Sequence, residues 1–345
     1  MNLLLPCAGK STRYGTQMPK YMLAMPDNRI MLEKCIEPFL SDAQKIHIAI
    51  LREHEERFGI RAIFEKILPN AGVLVLDEPT RGQAETVSLM LDHFDVKDNF
   101  LVKDCDSTFI PEKSYEQDKN QVSVCSLRRV DVARLHQKSF AHFNEQGSII
   151  GMTEKRITSE WFSCGGYYFA MTSEFQTYFQ KLSESQIQQE MYISSVIDLM
   201  IQAKNIFNPV PCTGYVDLGV FEDWVSYRSK FRTYIFDIDG VIVRNGSRYI
   251  EPKWGETQAF PKVSEKLRSL KAAGHYILLV TSRPETYRDV TTKQMQREGI
   301  VYDQLVMGVH HGARVVVNDH SKSTPFPTIV AVDSVRDSAD WLAKL

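Results

Sequence analysis

The sequence lacks two features that would point to a membrane or a nucleic acid. It contains no apolar run of the roughly 18–20 residues that a membrane-spanning helix needs, and residues 1–6 lack the basic start and long apolar stretch of a secretory signal. It also has no cationic surplus, since 41 Lys and Arg face 43 Asp and Glu for a net charge of −2. Without that surplus, general binding to a phosphate backbone is disfavoured. We expect a soluble cytoplasmic protein with no membrane or nucleic-acid partner.

Paired cysteines and repeats are missing as well. The 6 cysteines are scattered with no C-x-x-C pair, and no segment repeats at a fixed period or has low complexity. A chain of this length can bury a core without disulfides. The cysteines are therefore predicted to be reduced, buried small hydrophobic residues.

What the sequence does contain favours two α/β domains. Its 345 residues, 43% of them apolar, exceed what one core usually organises, and domains of about 100–200 residues are typical. Strand-length apolar runs alternate with segments of helical period, a pattern typical of a mostly parallel sheet covered by helices. The pattern restarts near residue 231, so we predict domains at 1–230 and 231–345. In the second, strands are predicted at 233–236, 276–280, 314–317 and 328–332, with helices at 263–273 and 285–298.

The first run of small and cationic residues follows the first predicted strand. Residues 6–15 read Pro-Cys-Ala-Gly-Lys-Ser-Thr-Arg-Tyr-Gly, and Pro19-Lys20 comes soon after. Small residues let backbone N–H groups approach an anion, while Lys10, Arg13 and Lys20 supply positive charge. The loop is a candidate triphosphate cradle, although it is not the G-x-x-x-x-G-K-[ST] P-loop.

Two carboxylates end the predicted strand at 100–103. Asp104 and Asp106 are two residues apart and share a face, at the sheet edge where open α/β sheets bind ligands. Such a pair suits Mg²⁺, which takes one or two carboxylates and completes its shell with phosphate oxygens and water. A later acid, Asp217, is a candidate third member.

Six segments in order resemble the nucleotidylyltransferases that activate sugar phosphates or other small phosphorylated alcohols. They are residues 8–13 with 19–20, 80–86, 104–106, 153–155, 164–168 and 216–219. The resemblance covers residues 1–230 and implies the Rossmann-like nucleotide-diphospho-sugar transferase fold. The departures are Cys7, where a small residue such as alanine is common, and Val220, where threonine often follows the glycine.

The resemblance also implies roles for particular residues. Arg13 and Lys20 would hold the triphosphate, Asp106 and Asp217 would hold Mg²⁺, and Lys155 would bind the acceptor phosphate. The remaining implied substrate-binding residues are Ala8, Gly9, Lys10, Gly82, Gln83 and Gly166. The alternative is a glycosyltransferase that uses the acid pair to bind a nucleotide-sugar. It is disfavoured because a donor diphosphate does not need triphosphate-binding residues such as Arg13 and Lys20.

A second set of acids lies at predicted strand ends after residue 231. Asp237 and Asp239 flank a strand end, so one carboxylate can attack phosphorus while the other delivers a proton to the leaving oxygen. Thr281, followed by Ser282, ends the next strand and can bind a phosphate oxygen. Asp319 follows another strand and is a candidate Mg²⁺ ligand.

These strand ends resemble the haloacid dehalogenase (HAD) superfamily of phosphohydrolases. The resemblance implies a HAD-like Rossmannoid fold without a cap domain, with Asp237 as nucleophile, Asp239 as general acid/base, Thr281 and Ser282 as phosphate binders, and Asp237, Asp239 and Asp319 at the metal. The family's lysine near the fourth motif is missing; Arg314 or Lys322 can substitute, and Asn318 stands where a second acid is frequent. A silent binding or dimerisation module is the alternative.

Together these interpretations predict a bifunctional enzyme. It would join a nucleoside triphosphate to a phosphorylated sugar or polyol and hydrolyse a phosphomonoester of a related intermediate, for a surface polysaccharide or capsule. The base, the acceptor, the order of the reactions and a possible homo-oligomer stay open.

Overall fold

The computed structural model describes residues 1–9, 18–130, 134–185, 190–318 and 328–345. The chain divides into two compact units, unit 1 (Met1–Arg228) and unit 2 (Ser229–Leu345). Each unit is an α/β structure with its own core.

Unit 1 alternates strands and helices in its first half and becomes strand-rich in its second. The strands are β1 Asn2–Pro6, β2 Lys45–Leu51, β3 Ala71–Leu76, β4 Phe100–Lys103, β5 Ser107–Pro111, β6 Asn120–Ser126, β7 Ser139–Phe143, β8 Ile149–Glu154, β9 Trp161–Phe169 and β10 Phe207–Asp217. The helices are α1 Met31–Ile36, α2 Arg52–Phe58, α3 Ile60–Ile67, α4 Gln83–His93, α5 Thr172–Ser185, α6 Ile193–Gln202 and α7 Phe221–Ser229. The last residue of α7 already belongs to unit 2.

One sheet unites these strands in the order β3-β2-β1-β4-β9-β6-β10-β8-β7, with β5 paired to β10. Strands β3, β2, β1 and β4 are parallel, whereas β9 runs antiparallel to both β4 and β6. Parallel strands need helical crossovers, which accounts for the alternation in the first half of the unit.

The two faces of this sheet pack against separate apolar layers. Leu4 and Val102 face α4, α5 and α6, while Leu3, Leu5 and Leu101 face α1 and α3. Successive side chains of a strand point to opposite faces, so strands covered on both sides read as continuous apolar runs. The apolar strands β1 and β4 follow this rule.

The register of β1 and β4 decides where the polar residues meet. Leu3 lies opposite Leu101 and Leu4 opposite Val102, so both strands end at the same edge of the sheet. The segments that follow them, residues 7–9 and 104–106, are therefore neighbours. This carboxyl edge is where open α/β sheets bind their ligands.

Unit 2 contains a smaller parallel sheet. Its elements are β11 Thr233–Asp237, α8 Val263–Ala272, β12 Tyr276–Val280, α9 Arg288–Arg297 and β13 Gln304–Val306, with strand order β11-β12-β13. Its core includes Ile238, Leu279 and Trp341, and the Trp341 indole N–H donates to the Val241 carbonyl at 3.0 Å.

The strands predicted at 314–317 and 328–332 are wrong, because neither segment forms a strand in the structure. Val315 and Val317 are 85% and 90% exposed, and in the described part of unit 2 β11 pairs with β12 alone. Valine runs favour strands through side-chain packing and pairing, and these valines have neither.

None of the helices in the described ranges is long and apolar enough to cross a membrane.

Candidate functional site

A cleft opens at the carboxyl edge of the large sheet of unit 1. It encloses about 890 Å³, and its walls come from the ends of β1, β4, β8 and β10 and from the start of α4. Ala8 and Gly9, which follow β1, line it together with Lys20. The predicted phosphate-binding residues Lys10 and Arg13 lie outside the described residues.

Backbone pairing brings the two predicted metal aspartates together. Strand β5 runs antiparallel to β10 with Ser107 opposite Asp217, and the Leu218 N–H donates to the Asp106 carbonyl at 2.8 Å. Gly219 marks the space between the two carboxylates. A Cβ placed on Gly219 would lie 3.1 Å from Asp217 Oδ1 and 3.6 Å from Asp106 Oδ2.

Each of these aspartates binds a lysine. Lys20 Nζ donates to Asp106 Oδ2 at 2.5 Å, and Lys138 Nζ lies 2.7 Å from Asp217 Oδ2. All four side chains are less than one fifth exposed, so their charges are weakly screened by solvent. The cleft therefore concentrates two carboxylates and two ammonium groups at one edge of the sheet.

The carboxylates around Gly219 fit a magnesium ion that also binds phosphate. Within the described residues no three His, Cys, Asp or Glu side chains are grouped so that they could hold an ion by themselves. Mg²⁺ commonly takes only one or two carboxylates and completes its octahedron with substrate phosphates and water. Asp106 and Asp217, facing the space beside Gly219, supply that number of oxygen ligands.

Asp104 serves a different role from Asp106. Its carboxylate accepts a hydrogen bond from Gln83 Nε2 at 2.5 Å, and Gly165 packs directly against it. Burial, followed by the nearby charge of Asp106, raises the pKa of Asp104 to about 6. Asp104 thus ties the first residue of α4 to the sheet edge.

Gly165→Ala should displace Asp104 and damage the cleft. Gly165 has a φ of +85°, and a Cβ there would lie 2.6 Å from the Asp104 Cγ. Gly147→Ala is the matched control, because its φ is +80° and nothing lies within 4 Å of its Cβ position. We expect Gly147→Ala to cost about 1–2 kcal/mol of unfolding free energy from backbone strain alone, and Gly165→Ala about 1–3 kcal/mol more from the collision. Urea denaturation measures both; equal losses would contradict the packing.

The predicted substrate-binding residues Gly82 and Gln83 lie at the start of α4, where the backbone of Gly82 closely approaches that of Met191. Gly82 lies so near Met191 that a Cβ would come within 2.6 Å of the Met191 nitrogen. The Ala84 N–H donates to the Met191 carbonyl at 3.0 Å, and the Met191 N–H donates to the Arg81 carbonyl at 3.0 Å. Gly82 and Gln83 both line the cleft, beside the amino-terminal end of the helix.

Lys155 lies on the opposite wall, directly after β8. Its backbone has a φ of +56°, a left-handed conformation that is uncommon for lysine, and its N–H donates to the Lys138 carbonyl at 3.0 Å. Its ammonium group donates to the Tyr192 hydroxyl and, at 3.3 Å, to Glu190 Oε2. Although partial burial opposes the charge, these contacts hold the pKa of Lys155 above its ordinary value.

Hydroxyl groups support this wall from behind. Glu154 Oε2 accepts hydrogen bonds from Ser139 and, at 2.7 Å, from Ser194.

Gly165 and Tyr167 line the cleft. Gly166, predicted to bind substrate, does not, because its missing Cβ would point at Ser123 and Phe109 inside the unit. Its neighbour Gly165 lines the cleft, and substrate binding by Gly166 stays a prediction.

Sequence analysis missed Lys138 and Tyr192. Lys138 precedes β7 in no recognisable motif, and only the fold brings it to Asp217, which is 79 positions later in the chain. Tyr192 caps the start of α6 and reaches Lys155 across the cleft wall. Neither residue has a local sequence signal that would distinguish it from an ordinary surface lysine or core tyrosine.

Comparisons with known proteins identify the fold. No protein-family model matches the sequence, and no curated protein sequence matches it either. A nucleoside-diphosphate-sugar pyrophosphorylase from Vibrio cholerae RC9 is similar in structure, at 20% identity and a TM-score of 0.57, over 66% of this chain and 99% of that chain. About two thirds of the chain has the α/β Rossmann-like fold of sugar nucleotidylyltransferases.

Two further solved structures agree on that fold. The inositol-1-phosphate CTP transferase from T. maritima matches at 15% identity and a TM-score of 0.51, over 64% of this chain and 90% of that chain. A UDP-glucose pyrophosphorylase complexed with UDP-glucose matches at 16% identity and a TM-score of 0.51, over 66% and 97%. The fold predicted for the first domain is confirmed; a HAD-like fold for unit 2 stays a prediction.

In unit 2, the predicted nucleophile lies beside the predicted phosphate binder. Asp237 ends β11 opposite Val280, so Thr281 follows at the neighbouring strand end and is buried. Arg314 Nη2 donates to Asp237 Oδ1 at 3.0 Å, which pairs a positive charge with the predicted nucleophile. Burial raises the pKa of Asp237, and the charge of Arg314 opposes that shift. Ser282, half-buried, follows Thr281 in the same loop.

Asp239 is held by a buried arginine that sequence analysis did not single out. Arg283 is fully buried and donates through Nε and Nη2 to the two carboxylate oxygens of Asp239, each at 2.8 Å. Arg283 also donates to Gln294 Oε1 at 2.8 Å and to Thr291 at 3.2 Å. The Asp239 carboxylate therefore faces a guanidinium group, and its predicted role as a metal ligand stays a prediction. The other predicted ligand, Asp319, and the alternative cation Lys322 lie outside the described residues.

Arg283→Met should loosen unit 2, because it leaves Asp239 and Gln294 without their partner. Breaking a buried ion pair from one side costs about 3 kcal/mol or more. We expect hydrogen exchange at the amides of β11 and β12 to accelerate about hundredfold in the full chain. Arg288→Met is the matched control, since Arg288 pairs with Glu285 on the surface and its loss should leave exchange unchanged. Equal protection of these amides from hydrogen exchange in both variants would show that the Arg283–Asp239 pair does not stabilise unit 2.

Proposed function

We propose that unit 1 transfers a nucleotidyl group from a nucleoside triphosphate to a phosphorylated sugar or polyol and releases pyrophosphate. The observation that carries the proposal is the convergence of Asp106 and Asp217 on Gly219, at the same edge that receives Lys20 and the loop after β1. The fold supports it, because the structural neighbours are named as pyrophosphorylases and a CTP transferase.

The reaction brings two highly charged groups together. An oxygen of the acceptor phosphate attacks the α-phosphorus, a new P–O bond forms, and the bond to the leaving pyrophosphate breaks. There is little covalent work for a protein in such a transfer, so positioning and charge stabilisation dominate. Lys20, now on Asp106, can move its ammonium group onto phosphate oxygens when the nucleotide enters.

Asp106 and Asp217 would hold Mg²⁺, which when bound offsets the charge of the phosphate oxygens. On the protein side, these carboxylates orient the nucleotide relative to the acceptor. Gln83, held by Asp104, and Gly82 present the start of α4 to the base. Lys10 and Arg13 are proposed to complete the triphosphate site.

The opposite wall suits a polar acceptor. Lys155 offers a cation for the acceptor phosphate, while Glu154, Glu190 and Tyr192 offer oxygen partners for hydroxyl groups. Hydrogen bonds to hydroxyls discriminate strongly, since an analogue that lacks the hydroxyl leaves polar groups unpaired. This chemistry favours a sugar or polyol phosphate over an apolar alcohol phosphate.

A substrate matrix tests the proposal. Each of the four common nucleoside triphosphates is combined with sugar and polyol phosphates in Mg²⁺, and pyrophosphate and inorganic phosphate are measured separately. Pyrophosphate that requires both substrates supports nucleotidyl transfer. A parallel set of wells contains a nucleotide-sugar and a sugar acceptor. Release of a nucleoside diphosphate there, with no pyrophosphate in any well of the matrix, would favour a glycosyltransferase instead.

For unit 2 we propose phosphomonoester hydrolysis, carried by the pairing of Asp237 with Arg314 beside Thr281. Asp237 attacks phosphorus, Thr281 binds a phosphate oxygen, and Arg314 offsets the negative charge of both. Asp239, oriented by Arg283, handles the proton of the leaving oxygen. Asp237, Asp239 and Asp319 would hold the metal of this site. Release of inorganic phosphate from an aryl phosphate tests and would support the proposal. If no aryl or sugar phosphate releases phosphate, the alternative that unit 2 is a binding module is favoured.

A further inference from the structure

Lys138 lies in the cleft but belongs neither to the predicted triphosphate-binding loop nor to the predicted acceptor-phosphate site at Lys155. It lies between the turn at Leu135–Gln137 and β7, and its side chain is 16% exposed. Its ammonium group lies 2.7 Å from Asp217 Oδ2 and 5.4 Å from the centre of the Tyr215 ring. A lysine held this firmly in a cleft is not an ordinary solvated surface charge.

The two oxygens of Asp217 face different ways. Oδ1 accepts the Gly219 N–H at 3.0 Å and lies 3.1 Å from the Cβ position at Gly219, which Asp106 Oδ2 also approaches, whereas Oδ2 pairs with Lys138. An ion between Asp106 and Asp217 would use the Oδ1 side. Lys138 can therefore keep its contact with Oδ2 while that ion is bound.

Lys20 differs in this respect. It binds Asp106 Oδ2, the oxygen that lies 3.6 Å from the Cβ position at Gly219 and so faces the shared space. Asp106 Oδ2 would have to give up its contact with Lys20 to hold a metal ion there, which would free the Lys20 ammonium group for phosphate oxygens. The two lysines would therefore differ, since Lys138 contacts the other oxygen of Asp217.

Lys138 also connects the two halves of the reaction. Its side chain holds Asp217, on the nucleotide side, and its carbonyl accepts the N–H of Lys155, on the acceptor side. Lys155 has a left-handed backbone at this hydrogen bond. Lys138 therefore lies between the proposed nucleotide side and the proposed acceptor side.

We propose that Lys138 is a further catalytic residue of unit 1, whose ammonium group binds the transferring phosphoryl oxygens where the acceptor phosphate attacks. The inference rests on the proposed nucleotidyl transfer. Lys138 keeps its protons throughout: the acceptor oxygen forms the new bond to the α-phosphorus, and pyrophosphate leaves with the electron pair of the broken bond. The ammonium group offsets the charge that the approaching phosphates share.

Lys138→Met tests the inference in the full chain. We expect kcat for pyrophosphate release to fall roughly 100- to 1,000-fold, as when one preorganised donor is removed, with little change in KM for the nucleotide. Lys138→Arg should recover at least about tenfold, because it restores the charge. Lys97→Met is the matched control, since it removes a Lys–Asp pair on the surface of the same unit and should keep full activity.

Mn²⁺ binding, measured by electron paramagnetic resonance, separates catalysis from structural damage. Removing the ammonium group from Asp217 leaves more negative charge at the ion site, so Lys138→Met should bind Mn²⁺ at least as tightly as the wild type. Weaker Mn²⁺ binding together with a lower melting temperature would assign Lys138 a structural role and overturn the inference. If the wild type transfers the nucleotidyl group and Lys138→Met does so at a rate within threefold of it, the inference is overturned and the proposed function stands. If the wild type shows no transfer, the proposed function is overturned as well.

Discussion

Asp106→Asn should lower pyrophosphate release by at least about 1,000-fold and leave phosphate release by unit 2 unchanged. The substitution keeps the shape of the side chain but removes the charge that faces Asp217 across Gly219. Loss of one preorganised charge in a phosphoryl-transfer site costs roughly 100- to 1,000-fold, and loss of a metal ligand adds to it. The measurement is a coupled pyrophosphate assay at saturating nucleotide and acceptor.

The control for this variant is Asp95→Asn. Asp95 forms an exposed pair with Lys97 on the same unit, outside the cleft, so its loss should not change turnover. The effect should also be specific to the first reaction, because Asp106 belongs to unit 1. An Asp106→Asn enzyme that keeps more than a tenth of the pyrophosphate signal would remove Asp106 from the reaction.

Asp237→Asn should abolish phosphate release, by about 1,000-fold or more, while pyrophosphate release persists. An amide cannot form the covalent phosphoryl intermediate that the proposed attack requires, and removal of a nucleophile is among the most costly single changes in an enzyme. The substitution also ends the ion pair with Arg314. Inorganic phosphate from an aryl phosphate, measured under single-turnover conditions, gives the rate.

Asp289→Asn serves as the control for unit 2, since Asp289 is an exposed acid in the first turn of α9. It should retain the wild-type rate. Phosphate release that survives Asp237→Asn would mean that the activity belongs to another group. A wild type that releases no phosphate, with Asp237 intact, would instead support the binding-module alternative.

Much of unit 1 could be predicted from sequence, because its signals are local. Strands such as β1 and β4 are short apolar runs that end at small or acidic residues, and parallel pairing places their ends at one edge. In the sequence Asp217 is only a later acid that could join the pair, and the structure explains its position: β10 returns antiparallel to β5 and places Asp217 opposite Ser107, beside Asp106. No local pattern contains that pairing.

The missed or misplaced residues share a physical reason. Lys138 and Arg283 act through partners distant in the chain, and an isolated lysine or arginine in a sequence does not show whether it will be buried against a carboxylate. Gly165 lines the cleft with a left-handed backbone and its neighbour Gly166 does not, at a point where the pairing of β9 with β6 is irregular. The valines at 315–317 have the composition of a strand and lack the pairing that would make one.

Phosphorus-31 NMR of the wild-type protein with a nucleoside triphosphate, a sugar 1-phosphate and Mg²⁺ tests the central claim most directly. Nucleotidyl transfer predicts that free pyrophosphate and a new diphosphate-linked product appear in equal amounts, both absent without the acceptor. Cleavage of the triphosphate to nucleoside diphosphate and phosphate, or pyrophosphate with no diphosphate-linked product, would contradict the account.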